Sequence, residues 1–251
     1  MNRSPQSRRF WRIFGPIFGY WGIQIVTQFI IGMVIVVLNA AEIAGAIASI
    51  TEENMIEKVI DLSMKMSQIL MEHQSLAAAF TALCTFMFAA FFFTNDRKAE
   101  KNAQLPIQKK APSVQYIWVL LFGVVFCLGM NVIIAMSGLA ARDVSYITNS
   151  AALYSEGIVV MLICQGMIVP ISEEMMFRGV LFKRCREQMG FWNAAFSVSL
   201  IFAFMHSTLT QLTYTLVLGL FLAYFYEKFG SLKAPALLHV MVNVVSVVLT
   251  K

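Results

Sequence analysis

Long apolar runs separated by short polar stretches set the pattern of this chain. They cover about residues 15–38, 76–93, 116–136, 157–182, 191–207, 212–226 and 234–251. An α-helix needs roughly 20 apolar residues to cross a bilayer, and a membrane leaves only helices or closed barrels as spanning structures. The runs are continuous rather than alternating, so they predict an all-α, polytopic membrane helix bundle of about seven transmembrane helices. Pro170 is expected to interrupt the fourth.

The polar stretch 39–75 holds Glu42, Glu52, Glu53, Glu57, Asp61 and Glu72 against Lys58 and Lys65. Within it Met55, Val59, Leu62, Met66 and Ile69 recur at steps of four and three, which draws one apolar stripe on a helix. Such a helix lies on the membrane surface or against the bundle. The stretches on the other side are basic: Arg3, Arg8, Arg9 and Arg12; Arg97, Lys98, Lys101, Lys109 and Lys110, in a loop kept irregular by Pro106 and Pro112; Lys183, Arg184 and Arg186; and Lys228 with Lys233. By the positive-inside rule these ends face the cytoplasm. The first run is too long for the apolar region of a signal peptide and reads as the first span.

Composition agrees with this reading. Of 251 residues 59% are hydrophobic and 13% charged, where a soluble domain carries about 25% charge. The net charge of +5 comes from the loop clusters and gives no reason to expect a nucleic-acid partner. Cys84, Cys127, Cys164 and Cys185 show no CxxC spacing and read as small core residues rather than a disulfide or zinc framework. Residues 1–156 are expected to supply N-terminal transmembrane helices and the amphipathic outer loop, and 157–251 the catalytic membrane core.

Candidate chemistry is confined to the last third. Glu173, Glu174 and Arg178 are the only charges between Gly157 and Lys183, and His206 and His239 fall in the same apolar region. Ionisable groups inside a membrane are costly and usually face a cavity. Glu174 and Arg178 are four apart and can pair, whereas Glu173 lies about 100° round the helix. Counting from a turn at Met189 and Gly190, Glu173 and His206 stand at matching heights, about 25 Å from the tip. They are therefore expected within hydrogen-bond reach, directly or through one water. His239 and Asn243 share a face of the last helix. One carboxylate, two imidazoles and an amide suit hydrolysis by activated water.

The stretches EEMMFR (Glu173 to Arg178), FAFMH (Phe202 to His206) and HVMVN (His239 to Asn243) resemble, in order, the EExxxR, FxxxH and HxxxN/B motifs of the CAAX protease and bacteriocin-processing family of intramembrane proteases. The resemblance covers about 157–248. It implies an intramembrane endopeptidase that cleaves a membrane-associated peptide or protein, with Glu173 as general base, His206 as its partner and His239 with Asn243 stabilising the oxyanion. Glu174 and Arg178 are implied as support, Glu174 being the more replaceable glutamate. Glu173, His206 and His239 are also the candidate ligands if zinc is used; the metal-free reading, with no cofactor, is favoured. A bacteriocin or signalling-peptide precursor is favoured over a prenylated CAAX protein, and a bacterial cell membrane is favoured as the location. N-terminus and active site are expected toward the cytoplasm, with substrate entering from there or from the inner leaflet. The alternatives are a transporter or channel subunit, and a noncatalytic immunity or binding protein with buried polar residues. Oligomeric state is not legible.

Overall fold

The computed structural model describes residues 5–104 and 110–250. Arg3, Pro106 and Lys109 lie outside the described residues. The described chain is helical, with no strand. Its helices are α1 (Pro5–Leu38), α2 (Ala40–Ala48), α3 (Met55–Met71), α4 (Gln74–Asn102), α5 (Tyr116–Ser137), α6 (Leu139–Arg142), α7 (Val144–Ser155), α8 (Ile158–Arg186), α9 (Phe191–Ala203), α10 (Leu209–Phe229) and α11 (Lys233–Thr250). Among the described residues six helices are long and apolar enough to cross a membrane: α1, α4, α5, α8, α10 and α11. The protein is a polytopic helical bundle.

The fifth apolar run behaves differently from the expectation. It forms a helix only over α9, which stops at Ala203 instead of continuing to residue 207. Its 13 residues span about 20 Å, roughly two thirds of the hydrocarbon thickness. Met205, His206 and Ser207 therefore sit on non-helical backbone before α10 begins.

Pro170 does not interrupt α8. The helix runs through it because the turn before it is widened into a π-segment over Cys164–Ile168, so the carbonyl one α-turn upstream, at Gly166, lies in the widened part. A second π-segment, Met175–Phe182, follows the two glutamates directly.

Packing joins α1 to α4, α4 to α8, α5 to α11, α9 to α10 and α10 to α11. Two apolar cores result. One gathers Ile13, Ile17 and Tyr20 of α1, the stretch Met176 to Phe182, and Ala194, Val198 and Phe202 of α9. The other gathers Val119, Phe126 and Cys127 with Leu218, Leu222, Phe229, Leu238 and Val242. Large apolar side chains outside the cores, such as Phe29, Met33, Trp118 and Val125, are exposed as a lipid-facing surface requires. The stripe helix forms as expected, and α3 touches α1, α2 and α7. No α3 residue is buried; Met55 and Val59 keep about half their surface open, at 53% and 50%.

The α9–α10 contact depends on a glycine. A Cβ at Gly219 would stand 2.8 Å from both Cβ and Oγ of Ser199, closer than real Cβ atoms approach. Gly219→Ala is expected to force the helices apart and lower stability by about 1–3 kcal/mol. Thermal unfolding in detergent checks this, and an unchanged midpoint would contradict the packing.

Candidate active site

Two ends of the bundle can be told apart by charge. At one end the basic stretches gather and are tied together. Arg12 pairs with Glu187 at 2.8 Å, Arg184 makes a two-bonded contact to Asp96 at 2.8 and 3.0 Å, and Arg186 meets Glu227 at 2.7 Å. Lys183 pairs with Glu100. The first apolar core lies directly beneath.

At the opposite end the connections are made by carboxylates on backbone amides. Glu156 is buried and accepts the Ser75 N–H at 2.8 Å, holding the start of α4. Asp143 accepts the Thr210 N–H at 2.8 Å and the Tyr146 N–H at 3.0 Å, so one side chain fastens the starts of α7 and α10. The Thr210 amide, with Tyr146, holds the Asp143 carboxyl below its usual range. Asp143 and Glu156 fall in the short stretch between the third and fourth apolar runs, and nothing in the residue pattern there signals these roles.

Between the ends, the helix faces around Glu173 leave a cavity of about 430 Å³. Glu173, His206, His239 and Asn243 all line it. The convergence expected from helix heights is thus present, drawn from α8, the α9–α10 connection and α11. Glu174 and Arg178 stand behind it, fully buried.

Of the two forms expected for the Glu173–His206 contact, direct or through one water, the direct one is not observed. Among the described residues no hydrogen bond joins Glu173 to His206. The imidazole nearest Glu173 is His239, whose Nε2 lies 3.8 Å from Oε2. The early end of α9 explains the difference, because His206 leaves the helical path and turns its Nδ1 back to the Phe202 carbonyl at 3.1 Å.

Glu174 does more than pair with Arg178. Its Oε1 meets Arg178 Nη1 at 2.7 Å and His239 Nδ1 at 2.9 Å. The second guanidinium nitrogen, Nη2, donates to the Gly219 carbonyl at 3.1 Å, and the group lies 4.8 Å from the centre of the Phe202 ring. The buried charge is thereby hydrogen-bonded to α8 and α10 and stacked on α9. A carbonyl and a carboxylate can only accept, so Phe202 and Glu174 assign the Nδ1 proton in each neutral imidazole. Nε2 is then the open nitrogen of both rings.

Asn243 is partly committed as well. One N–H donates at 3.0 Å to the carbonyl of Gln165, inside the first π-segment, and the amide retains a second N–H. Gln165 lines the cavity, as do Gln24 of α1 and Asn131 of α5. Gln165 stands eight residues before Glu173, at the same face of α8, so its polarity in an apolar run was a usable signal. Gly219 offered none.

Among the described residues no group of three His, Cys, Asp or Glu side chains is placed to hold a metal ion. Glu173, His206 and His239 therefore do not form a zinc ligand set in this arrangement.

The cavity reaches the surface at the end carrying Asp143 and Glu156. Ser207 and Thr250, both exposed, line it together with Gln74 and Asn149. Among the described residues no lysine or arginine lines it. The sequence expectation had entrance and basic stretches on one side; the packing separates them. Helix heights brought Glu173, His206 and His239 to one cavity, while the ion pairs and first core fill the basic end and the short α9 leaves exposed lining residues at the other.

Comparison with known proteins gives a consistent assignment for the same segment. Residues 155–245 match the family model for Rce1-like proteins, described as type II CAAX prenyl endopeptidase Rce1-like. The Bacillus subtilis protein named "Putative membrane peptidase YdiL" is 28% identical over 94 residues, which is 38% of this chain and 38% of that protein. No solved structure matches. The matched residues 155–245 include Glu173, His206, His239 and Asn243, so the family likeness falls on the segment whose three motifs carried the resemblance.

Proposed function

We propose that this protein is an intramembrane endopeptidase that hydrolyses a peptide bond in a membrane-associated peptide or protein. The observation that carries the proposal is the split between the two adjacent glutamates. Glu174 is spent on Arg178 and His239, while Glu173 faces the cavity with no hydrogen bond among the described residues. A carboxylate left open beside two imidazoles is what water activation needs.

In the reaction Glu173 accepts a proton from water as its oxygen attacks the carbonyl carbon of the scissile bond. The second N–H of Asn243 is available to the oxyanion that forms. His239, held by Glu174 with Nε2 towards Glu173, exchanges the proton with it, and His206 offers a further Nε2 to the water. The proton then passes to the leaving nitrogen as the C–N bond breaks, giving a carboxylate and an amine. Arg178 and Glu174 are positioning residues, since neither reaches the cavity.

Purified protein in proteoliposomes, supplied with synthetic membrane peptides, tests the assignment. New peptide termini detected by mass spectrometry, arising within or at the edge of the apolar stretch, are the expected result. Folded protein that yields none across a varied peptide set would overturn it.

A further inference from the structure

We infer that the site is served from the face of the membrane away from the cytoplasm, and that it takes a stretch of an exported polypeptide. This rests on the proteolytic reading for the word substrate, but the placement of the mouth rests on the fold alone. Three independent observations carry it.

The first is where the cavity ends. Its exposed lining residues, Ser207 and Thr250, follow the end of α9 and close α11. Both lie at the end of the bundle opposite the turn 187–190. That turn and its basic neighbours lie over the first apolar core and are knitted by Arg12–Glu187, Arg184–Asp96 and Arg186–Glu227. A peptide approaching from the basic end meets packed side chains.

The second is the shortness of α9. Non-helical backbone at membrane depth is tolerated only where it is buried in protein or lines a water-filled cavity. Met205, His206 and Ser207 satisfy that condition by lining this one. The missing turns of α9 are on the side away from Lys183, so the bundle is short of one wall on that side only.

The third is charge. The positive-inside rule assigns the arginine- and lysine-rich ends to the cytoplasm, which leaves the mouth on the other face. The mouth itself carries amides and hydroxyls: Gln74, Asn149, Ser207 and Thr250. These pair with the N–H and C=O groups of an extended peptide. The cavity volume, about 430 Å³, lies in the range of ligand pockets, roughly 300–1,000 Å³. A prenylated C-terminus made in the cytoplasm would have to arrive from the closed end.

The test uses thiol labelling, which reads access whether or not any peptide is cleaved. Single cysteines are introduced as Ser207→Cys and Gln188→Cys in full-length protein whose four native cysteines have been replaced. A membrane-impermeant maleimide on intact cells is expected to label position 207, and position 188 only after permeabilisation. The reverse pattern would overturn the inference. In sealed proteoliposomes, a synthetic membrane peptide should be cleaved only from the face where position 207 is labelled, and cleavage confined to the position 188 face would also overturn it. Labelling at 207 from outside with no cleavage from either face would instead count against the proteolytic reading and leave the placement of the mouth standing.

Discussion

Glu173→Gln is expected to slow peptide hydrolysis by about 10²–10⁴-fold while the protein folds as before. The replacement keeps the side chain's size and removes its ability to take a proton. Nothing structural depends on the charge: Glu173 makes no hydrogen bond among the described residues, and its neighbour His239 keeps its bond to Glu174 at 2.9 Å. The check is a pair of measurements on one preparation, the cleavage rate in liposomes and the unfolding temperature in detergent. A variant that melts normally and cleaves at the original rate would remove Glu173 from the reaction.

The second large effect concerns stability. Arg178→Met is expected to destabilise the protein by about 3–5 kcal/mol, because it strands the fully buried Glu174 carboxylate. Glu174→Gln should be damaging for the mirror-image reason, leaving the Arg178 guanidinium without its counter-charge. It also weakens the contact that orients His239, so activity falls along with stability. With the His239 contact added, Glu174 is expected to tolerate replacement less well than its pairing with Arg178 suggested from sequence. The double variant Glu174→Gln/Arg178→Met removes both charges, and is expected to unfold at a higher temperature than either single variant. Thermal unfolding of the three proteins checks the coupling; single variants that melt with the parent would show that the pair contributes nothing.

The sequence made the bundle legible where length and apolarity coincide, as in α5, whose observed limits differ from the expected run by about one residue. It failed where a helix ends for tertiary reasons. Residues 204–207 continue an apolar run with no proline or glycine to stop it, and it is the cavity beside them that accommodates their non-helical backbone. Pro170 misled in the other direction, since a π-turn is not readable from residue types. Within the site, the i,i+4 relation of Glu174 and Arg178 and the shared face of His239 and Asn243 followed from helical geometry. The Glu174–His239 bond did not, because it depends on how far α11 is rotated against α8. Gly219 shows the same limit: its role lies in what approaches it, a Ser199 side chain and an arginine on two other helices.

The 13-residue α9 also bears on the lipids around the protein. Its outward face carries Trp192, Phe196 and, just past its end, Phe204, at 72%, 53% and 66% exposure, so hydrocarbon meets it directly. The apolar band is therefore about 20 Å tall there, against about 30 Å beside the long helices. A bilayer matches such unequal heights by thinning locally, at fractions of a kcal/mol for each Å of mismatch. Acyl chain length becomes part of the energetics of the fold on this one flank. The thinned patch adjoins the residues around His206, so water and headgroups reach nearer to the carboxylate at Glu173 than the depth of that residue along α8 would suggest.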